Sequence, residues 1–408
     1  VASNSHPFAY LFERFPSFVQ TFVYREAMEM VRQGVNPWLV SVRRPDDPGA
    51  VAEAISAEVF YLPGEKELRA EVDLWRSARK LSWRPHRAIP RHRSEADAQR
   101  MFEAIWLGPE LKKRDIWHVH AHFGGLAART AWWLKKLFGI TYSFTGHAND
   151  IFCETDYPVS NAMLAKEASF IVTETDFARR WMEEHHPGVQ GKVFRVFNGI
   201  DPAGFFPREA AGAVPRILSV GRCVEKKGYD VLIEACGRLR DRGLVFQCEI
   251  VGDGPLFEKL GAQISSLKLN GQVRLAGPRA QTEVRRRLAA ADCFVLACQT
   301  DSEGGSDNLP TVIAEAMFTG VPCVSTTIAG VPEMITAGQD GLLVPPRDAG
   351  ALAEALAGLL TDPARALALG TAGQVTARAR FTIEQSVKEL RQLLAKRGKG
   401  GFCRWLPW

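Results

Sequence analysis

The sequence predicts an α/β protein made of two Rossmann-like doubly wound parallel-sheet domains facing across a cleft. Three observations carry that prediction. The chain has 408 residues, 46% apolar and 24% charged, enough material for two cores of ordinary size. Short apolar runs alternate with longer amphipathic stretches over nearly its whole length, the βαβ signature of a parallel sheet. The alternation breaks after Asn198-Gly199-Ile200-Asp201-Pro202 and then restarts.

In chain order, Phe8 to Phe12 reads as a strand and Val19 to Arg32 as a helix stopped by Gly34. Strands are expected at Trp38 to Val42, Val59 to Leu62, Ile116 to His120, Tyr142 to Phe144, Phe170 to Thr173 and Val193 to Val196. Helices such as Leu126 to Phe138 lie between most of them. The stretch 64–112 carries no clear pattern, and acceptor-facing helices would fit there. Pro207 to Pro215 reads as a linker. Beyond it, strands are expected at Ile217 to Val220, Phe246 to Val251, Val273 to Leu275, Cys293 to Ala297, Pro322 to Ser325 and Leu342 to Val344. Helices are expected near Tyr229 to Arg240, Pro255 to Leu267, Thr282 to Ala290, Thr311 to Phe318 and Gly350 to Leu360, and an amphipathic one closes the chain at Ile383 to Lys396. Open parallel sheets bind ligands at the carboxyl ends of their strands, so the chemistry is expected in strand-to-helix loops.

Composition excludes several classes. A net charge of +5 is too small an excess for a nucleic-acid binder. Two basic stretches stand out: Arg79, Lys80, Arg84, His86, Arg87, Arg91, His92 and Arg93 beside Trp75 and Trp83, and a closing cluster of Lys396, Arg397, Lys399, Phe402, Arg404, Trp405 and Trp408. Such patches suit anionic lipid headgroups; a solvated face and a frayed tail are the alternative. None of the eight cysteines forms a CxxC pair, and most sit in apolar runs, as small buried hydrophobes do in a reducing compartment. No signal peptide and no apolar run of about 18 residues is visible. The expected location is the cytoplasm, peripheral to the inner face of a membrane.

The second half holds the denser motifs. Val220-Gly221-Arg222-Cys223-Val224-Glu225-Lys226-Lys227-Gly228 follows its first strand. An Arg grips phosphate oxygens bidentately and a Lys adds a point charge, so Arg222 and Lys227 would neutralise a diphosphate without a metal. Gly221 and Gly228 let the backbone approach a ligand. A surface loop with ordinary solvated bases fits these residues too. Glu303 to Met317 then runs from a glycine-rich loop into a helix, with Pro310 placed as the first helical residue. The free amides of that helix end favour a phosphate. Asp307 and Glu315 would lie about 12 Å apart if the interval rises like a helix, at about 1.5 Å per residue. That matches the span from a donor sugar to its ribose, and carboxylates accept hydrogen bonds from sugar hydroxyls. A helix cap and a helix-face charge are the alternative roles. Asp301-Ser302-Glu303 looks superficially like an Asp-x-Asp metal motif but reads as loop.

In order and spacing these residues resemble the GT-B retaining glycosyltransferases of family 4, also called group 1. The resemblance rests on Gly-Arg-x4-Lys-Gly, Gly252-Asp253-Gly254-Pro255, the acid-x7-Glu block with Ala-Met-x-x-Gly-Val-Pro, Ala329-Gly330-Val331-Pro332-Glu333 and Asp340-Gly341-Leu342-Leu343-Val344. It implies that Arg222 and Lys227 bind the donor diphosphate and Glu315 the ribose. Asp307 stands where the family often has Glu, near the donor sugar, one methylene shorter. Val251 and Gly252, with the Gly277-Pro278-Arg279 loop, would flank the nucleobase, and Asn308, Leu309 and Pro310 would meet the phosphates. The implied division is an acceptor-binding domain over 1–206, a nucleotide-sugar-binding domain over 207–380, and a helix and tail over 381–408 that crosses back.

In the first half, His118, His120 and His122 alternate at the end of a strand, followed by Phe123-Gly124-Gly125. Without an acid or Cys cluster they read as packed or acceptor-lining rather than metal ligands. Phe144-Thr145-Gly146-His147-Ala148-Asn149-Asp150 places His147 after a strand; in similar family members a His at this place touches the transferred sugar. Asp150 would orient His147 or bind acceptor. Phe15-Pro16-Ser17-Phe18-Val19-Gln20-Thr21-Phe22 lacks the paired glycines of many relatives and, with His120-Ala121-His122-Phe123-Gly124, resembles the exopolysaccharide branch that includes colanic-acid-type transferases. Gln20, Thr21, His122, Gly124 and Asp150 are the acceptor-side candidates.

The resemblance implies transfer with retention from a nucleotide-sugar donor, with a UDP-sugar favoured, to a saccharide or lipid-linked saccharide. No metal and no cofactor is expected, and no nucleic-acid partner. The leaving diphosphate would be stabilised by Arg222, Lys227 and helix-end amides in a front-face substitution. A nicotinamide dehydrogenase on the same kind of sheet needs a third glycine that Gly252-Asp253-Gly254-Pro255-Leu256-Phe257 lacks. A nucleotide-sugar epimerase and a non-catalytic glycan- or lipid-binding scaffold remain as alternatives.

Overall fold

The computed structural model describes residues 7–17, 21–45, 57–153, 156–209 and 212–397. Gln20 and the aromatic residues of the closing cluster fall outside that set, and of Thr21 only the backbone is described. The chain divides into two compact units, one running to Gly199 and resuming at Ile383, the other Ile200–Thr382.

Unit 1 is built on a seven-stranded sheet: β1 (Ala9–Arg14), β2 (Trp38–Arg43), β3 (Val59–Tyr61), β4 (His118–His122), β5 (Thr141–Gly146), β6 (Ile171–Thr173) and β7 (Val193–Arg195). The order is β3-β2-β1-β4-β5-β6-β7, every pair parallel. Alternate side chains of a strand point to opposite faces. On one face Leu11, Val119 and Ala121 join a core with Ala98–Lys113 and Leu126–Phe138. On the other, Tyr10, Phe12, Phe170 and Val172 pack with the helices Thr21–Arg32 and Ile383–Arg397. The last helix is also fixed by polar contacts: Ser386 Oγ donates to the Phe197 carbonyl at 2.6 Å, and Arg391 donates to Gln33 at 3.0 Å.

Unit 2 has a six-stranded parallel sheet, β8 (Arg216–Val220), β9 (Gln247–Val251), β10 (Val273–Gly277), β11 (Cys293–Leu296), β12 (Cys323–Thr326) and β13 (Leu342–Val344), in the order β10-β9-β8-β11-β12-β13. Both sheets therefore reverse direction of growth once, between β1 and β4 and between β8 and β11. Those reversals are where a doubly wound sheet opens a crevice at its carboxyl edge.

Several boundaries differ from expectation for identifiable reasons. β4 starts two residues later than the apolar run suggests. Asp115, at φ 56°, turns the chain, and the Ile116 amide still bonds back to Leu111. His118, His120 and His122 thus lie within the strand rather than around its end. The stretch left without a pattern forms three helices, Glu65–Ser77, Trp83–His92 and Ala98–Lys113. A further helix, Pro363–Arg380, is capped by the Asp362 side chain on the Arg365 amide; its alanines and glycines give no polar-apolar stripe to read. The expected linker is pinned to unit 2, since the Glu209 amide donates to Ala289 and Arg208 pairs with Asp292.

Candidate functional site

In unit 2 the loops leaving β8, β9 and β10 are joined backbone to backbone. The Gly221 amide donates to Val251 at 2.9 Å, Cys223 to Asp253 at 2.8 Å, and Gly252 to Gly277 at 3.0 Å. Gly252, at φ +145°, permits this: a Cβ there would lie 1.9 Å from the Gly221 oxygen. The turn Glu225–Lys227 is tied in turn to the loop after β11. Gln299 donates from its amide to Lys226 O and from its side chain to Glu225 O, and Glu225 accepts from the Ser302 amide. Gly228 (φ +63°) allows the closest approach, because a Cβ would sit 1.8 Å from the Ala297 oxygen.

Across this seam two lysines meet a candidate acid. Lys227 Nζ lies 2.5 Å from Asp307 Oδ2, and Lys226 Nζ 3.3 Å from Oδ1, with Lys227 and Asp307 only 15% and 12% exposed. Burial alone would raise the Asp307 carboxyl, but Lys227 and Lys226 outweigh it and hold it below its ordinary range. Burial lowers Lys227, and Asp307 overrides it to raise the ammonium, with the Arg222 charge opposing. Arg222 is exposed on the same loop. Lys226, not singled out from the sequence, is thus a second cation on the acid.

The helix after this loop is Thr311–Thr319, and Pro310 precedes it with φ −71° and ψ 93°. This corrects the expectation that Pro310 is the first helical residue. The Asp307–Glu315 interval is accordingly not a helical rise, because residues 307–310 are non-helical. Glu315 lies half-buried on the helix, while Asn308, Leu309 and Pro310 are buried. Pro278 and Arg279 are exposed beyond β10. Asp301 folds back on its own turn, accepting from the Glu303 and Gly305 amides, which is a loop-building role.

In unit 1 the three strand histidines are packed into a ladder with β5. Thr141 donates its hydroxyl to Trp117 O, so it accepts from His118 Nδ1 at 2.9 Å. His118 Nε2 must then accept from Ser143, which accepts from His120 Nδ1, whose Nε2 accepts from Thr145. One anchor thus sets every tautomer, with both imidazoles neutral. Burial pushes His118 down to about 3 and His120 well below its ordinary value. Among the described residues no cluster of His, Cys, Asp and Glu is arranged to hold a metal ion.

His122 and His147 continue at the carboxyl edge. His147 Nδ1 lies 2.5 Å from Glu174 Oε1, and its Nε2 lies 3.4 Å from His122 Nδ1. His122 Nε2 is 3.1 Å from both Tyr10 Oη and Glu26 Oε1. Tyr10 donates to Glu26, and Asn198 to Glu174. The His147 ring is thus turned inward, 7% exposed, with a partner at each nitrogen. Asp150 acts on backbone: it accepts from the His147 amide at 3.0 Å, Ala148 at 2.9 Å and Gly124 at 2.8 Å, clamping the loops after β4 and β5 together. Arg129, fully buried, completes the clamp by donating to Gly124 O, Gly125 O and Val159 O. Glu26 and Glu174 were not singled out from the sequence, although an acid on the apolar stripe of Phe22, Val23, Ala27 and Met30 and an acid directly after a strand are signals; Arg129 left no comparable signal.

Two parallel sheets, each with its polar residues gathered at the switch-point loops, define the GT-B class of fold. HepE of Anabaena, solved with UDP, superposes with a TM-score of 0.68 at 16% identity, over 95% of this chain and all (100%) of that one. A family model described as glycosyl transferases group 1 matches residues 205–376. The amylovoran biosynthesis glycosyltransferase AmsK of Erwinia amylovora is 36% identical over 291 residues, 69% of this chain and 70% of AmsK. The chain belongs to the group 1 glycosyltransferases. WcaL of Escherichia coli, named for colanic acid biosynthesis, is 41% identical over 161 residues; that match spans 40% of WcaL's own length. The resemblance to the exopolysaccharide branch read from residues 15–22 and 120–124 agrees with these two relatives.

Proposed function

We propose that the chain transfers a sugar from a nucleotide-diphosphate donor, a UDP-sugar, to a saccharide or lipid-linked saccharide during exopolysaccharide assembly, with retention and without a metal. The observation that carries this reading is the Lys227–Asp307 contact at the β8–β11 switch point, where two lysines, Arg222 and the start of a helix gather on two joined loops. Lys227, Lys226 and Arg222 hold the leaving diphosphate, and the Thr311–Thr319 helix end adds amides. Glu315 holds the ribose hydroxyls. Asp307 exchanges its contact with Lys227 for one with the donor sugar as the phosphates arrive. The unit 1 loops around Gly124 and His147–Asp150 receive the acceptor.

A membrane-borne acceptor fits the helix Trp83–His92, on which Trp83 is 67% exposed and Arg84, Arg87 and Arg91 are exposed as well. Among the described residues no helix is long and apolar enough to cross a membrane.

The test is a panel of UDP-, GDP-, ADP- and dTDP-sugars, scored for donor hydrolysis and thermal stabilisation in the presence of EDTA. The reading expects one UDP-sugar to be hydrolysed and to stabilise the protein. Stabilisation by GDP-sugars alone moves the base assignment. Conversion of the donor to its epimer without acceptor, or no turnover of any donor, overturns the transferase reading.

A further inference from the structure

The buried contacts of His122 and His147 fix how many protons the pair carries. A tyrosine has one hydroxyl proton, and Tyr10 gives it to the Glu26 carboxylate. His122 Nε2, 3.1 Å from both of those oxygens, bonds there only if it brings its own proton. At the far end His147 Nδ1 lies 2.5 Å from Glu174 Oε1; burial raises the Glu174 carboxyl and His147 opposes that rise, and with Glu174 ionised the ring nitrogen is the donor. The inner nitrogens, His122 Nδ1 and His147 Nε2, face each other at 3.4 Å, with the two rings only 14° from parallel planes. One more proton is needed between them. Three protons on four ring nitrogens make the pair singly positive. Without the inner proton, two lone pairs face one another in a buried site.

We propose that Glu174 and Glu26 are positioning residues that, from opposite ends, keep this shared proton on the His122–His147 pair and so hold the His147–Asp150 loop in its working place. The inference rests on the transferase reading above. The coupling to the site runs through the backbone, since the amide of His147 lies on Asp150, which also holds the Gly124 amide. The charge on the pair therefore bears on the loops after both β4 and β5. Among the described residues, several elements packed against His147 contribute. β4 brings His122 and the neutral His120, β1 brings Tyr10, and the Thr21–Arg32 helix brings Glu26. The residue after β6 is Glu174, the loop itself carries Asp150, and the rings of Phe22 and Phe123 cover the imidazole. The balance of charge agrees: burial lowers His147, but Glu174, Asp150 and Glu26 outweigh it and raise the imidazolium above its ordinary value.

The experiment compares the wild type with Glu174→Gln and Glu26→Gln in the pH profile of kcat for sugar transfer, beside 15N spectra of the histidine rings. A raised histidine keeps its proton to higher pH. Each substitution is therefore expected to move the alkaline limb to lower pH by about one unit, with donor KM nearly unchanged. In the wild type the spectra should show a doubly protonated ring above pH 7, lost in Glu174→Gln. Unmoved alkaline limbs in both variants, or no doubly protonated ring in the wild type at pH 7, overturn the proposal. Should Glu174→Gln fail to fold, Glu26→Gln decides, because it contacts neither loop directly. A wild type that transfers no sugar sinks the transferase reading, and the ring spectra still test the shared proton.

Discussion

Replacing Asp307 by Asn removes the countercharge of two lysines while keeping the shape of the side chain. Lys227 and Asp307 are 15% and 12% exposed, and Lys226 is 21% exposed. Breaking a buried pair by removing one partner costs about 3–5 kcal/mol, and residual solvent access puts this case near the lower end. For a unit the size of Ile200–Thr382 each kcal/mol is worth about 2–4 °C, so its melting midpoint should fall by roughly 6–12 °C at pH 7. A nucleoside diphosphate restores the missing negative charge, so UDP should stabilise Asp307→Asn more than it stabilises the wild type. Transfer should nevertheless fall, because the sugar loses its acceptor carboxylate. The pH dependence has a definite sign. The folded carboxyl lies below its ordinary 3.8, so its stabilisation is present above that value and is lost as pH falls through the folded pKa. The variant should lack that acid-side loss. Scanning calorimetry with and without UDP measures all of this. An unmoved midpoint, or weaker stabilisation of the variant by UDP, would refute the reasoning.

Glu315→Ala should leave the fold intact and remove most donor binding, read as loss of thermal stabilisation by UDP-sugars. Gly228→Ala should cost about 3 kcal/mol or more in urea unfolding, because an L-residue is strained at φ +63° and its Cβ would press on the Ala297 oxygen 1.8 Å away. His118, buried and neutral with a pKa of about 3, binds a proton in the unfolded chain first. Stability should therefore fall by about 1.4 kcal/mol per pH unit for this one group below about pH 6.5, and His118→Leu should flatten that slope in acid titrations followed by fluorescence.

Much of the fold was legible because its periodicities are strong. Leu126–Phe138 is bounded by Gly125 and a left-handed Gly139, and the strand runs of unit 2 are short, apolar and punctuated. The candidate donor-side motifs stood out because each lies within one short stretch of sequence, as Gly221–Gly228 and Asp307–Glu315 do. The pairing of Lys227 with Asp307 was not, because it joins loops 80 residues apart in sequence through main-chain seams that only the fold creates. The partners of His122, His147 and Glu174 were hidden for a similar reason. Glu26, Glu174 and Asn198 come from three separated segments, and no local spacing announces their meeting. The histidines were read as packed or acceptor-lining; that His118 and His120 pack in a ladder, and its direction, depend on β5 supplying Thr141, Ser143 and Thr145 in register.

The role of Lys227 is tested most directly by one titration: UDP into the wild type and into Lys227→Ala, by calorimetry, with EDTA present. Saturable binding by the wild type, weakened about a hundredfold or more in the variant while its fold persists, is the predicted result. Equal affinity in the two proteins, or binding that appears only when a divalent metal is added, would contradict it.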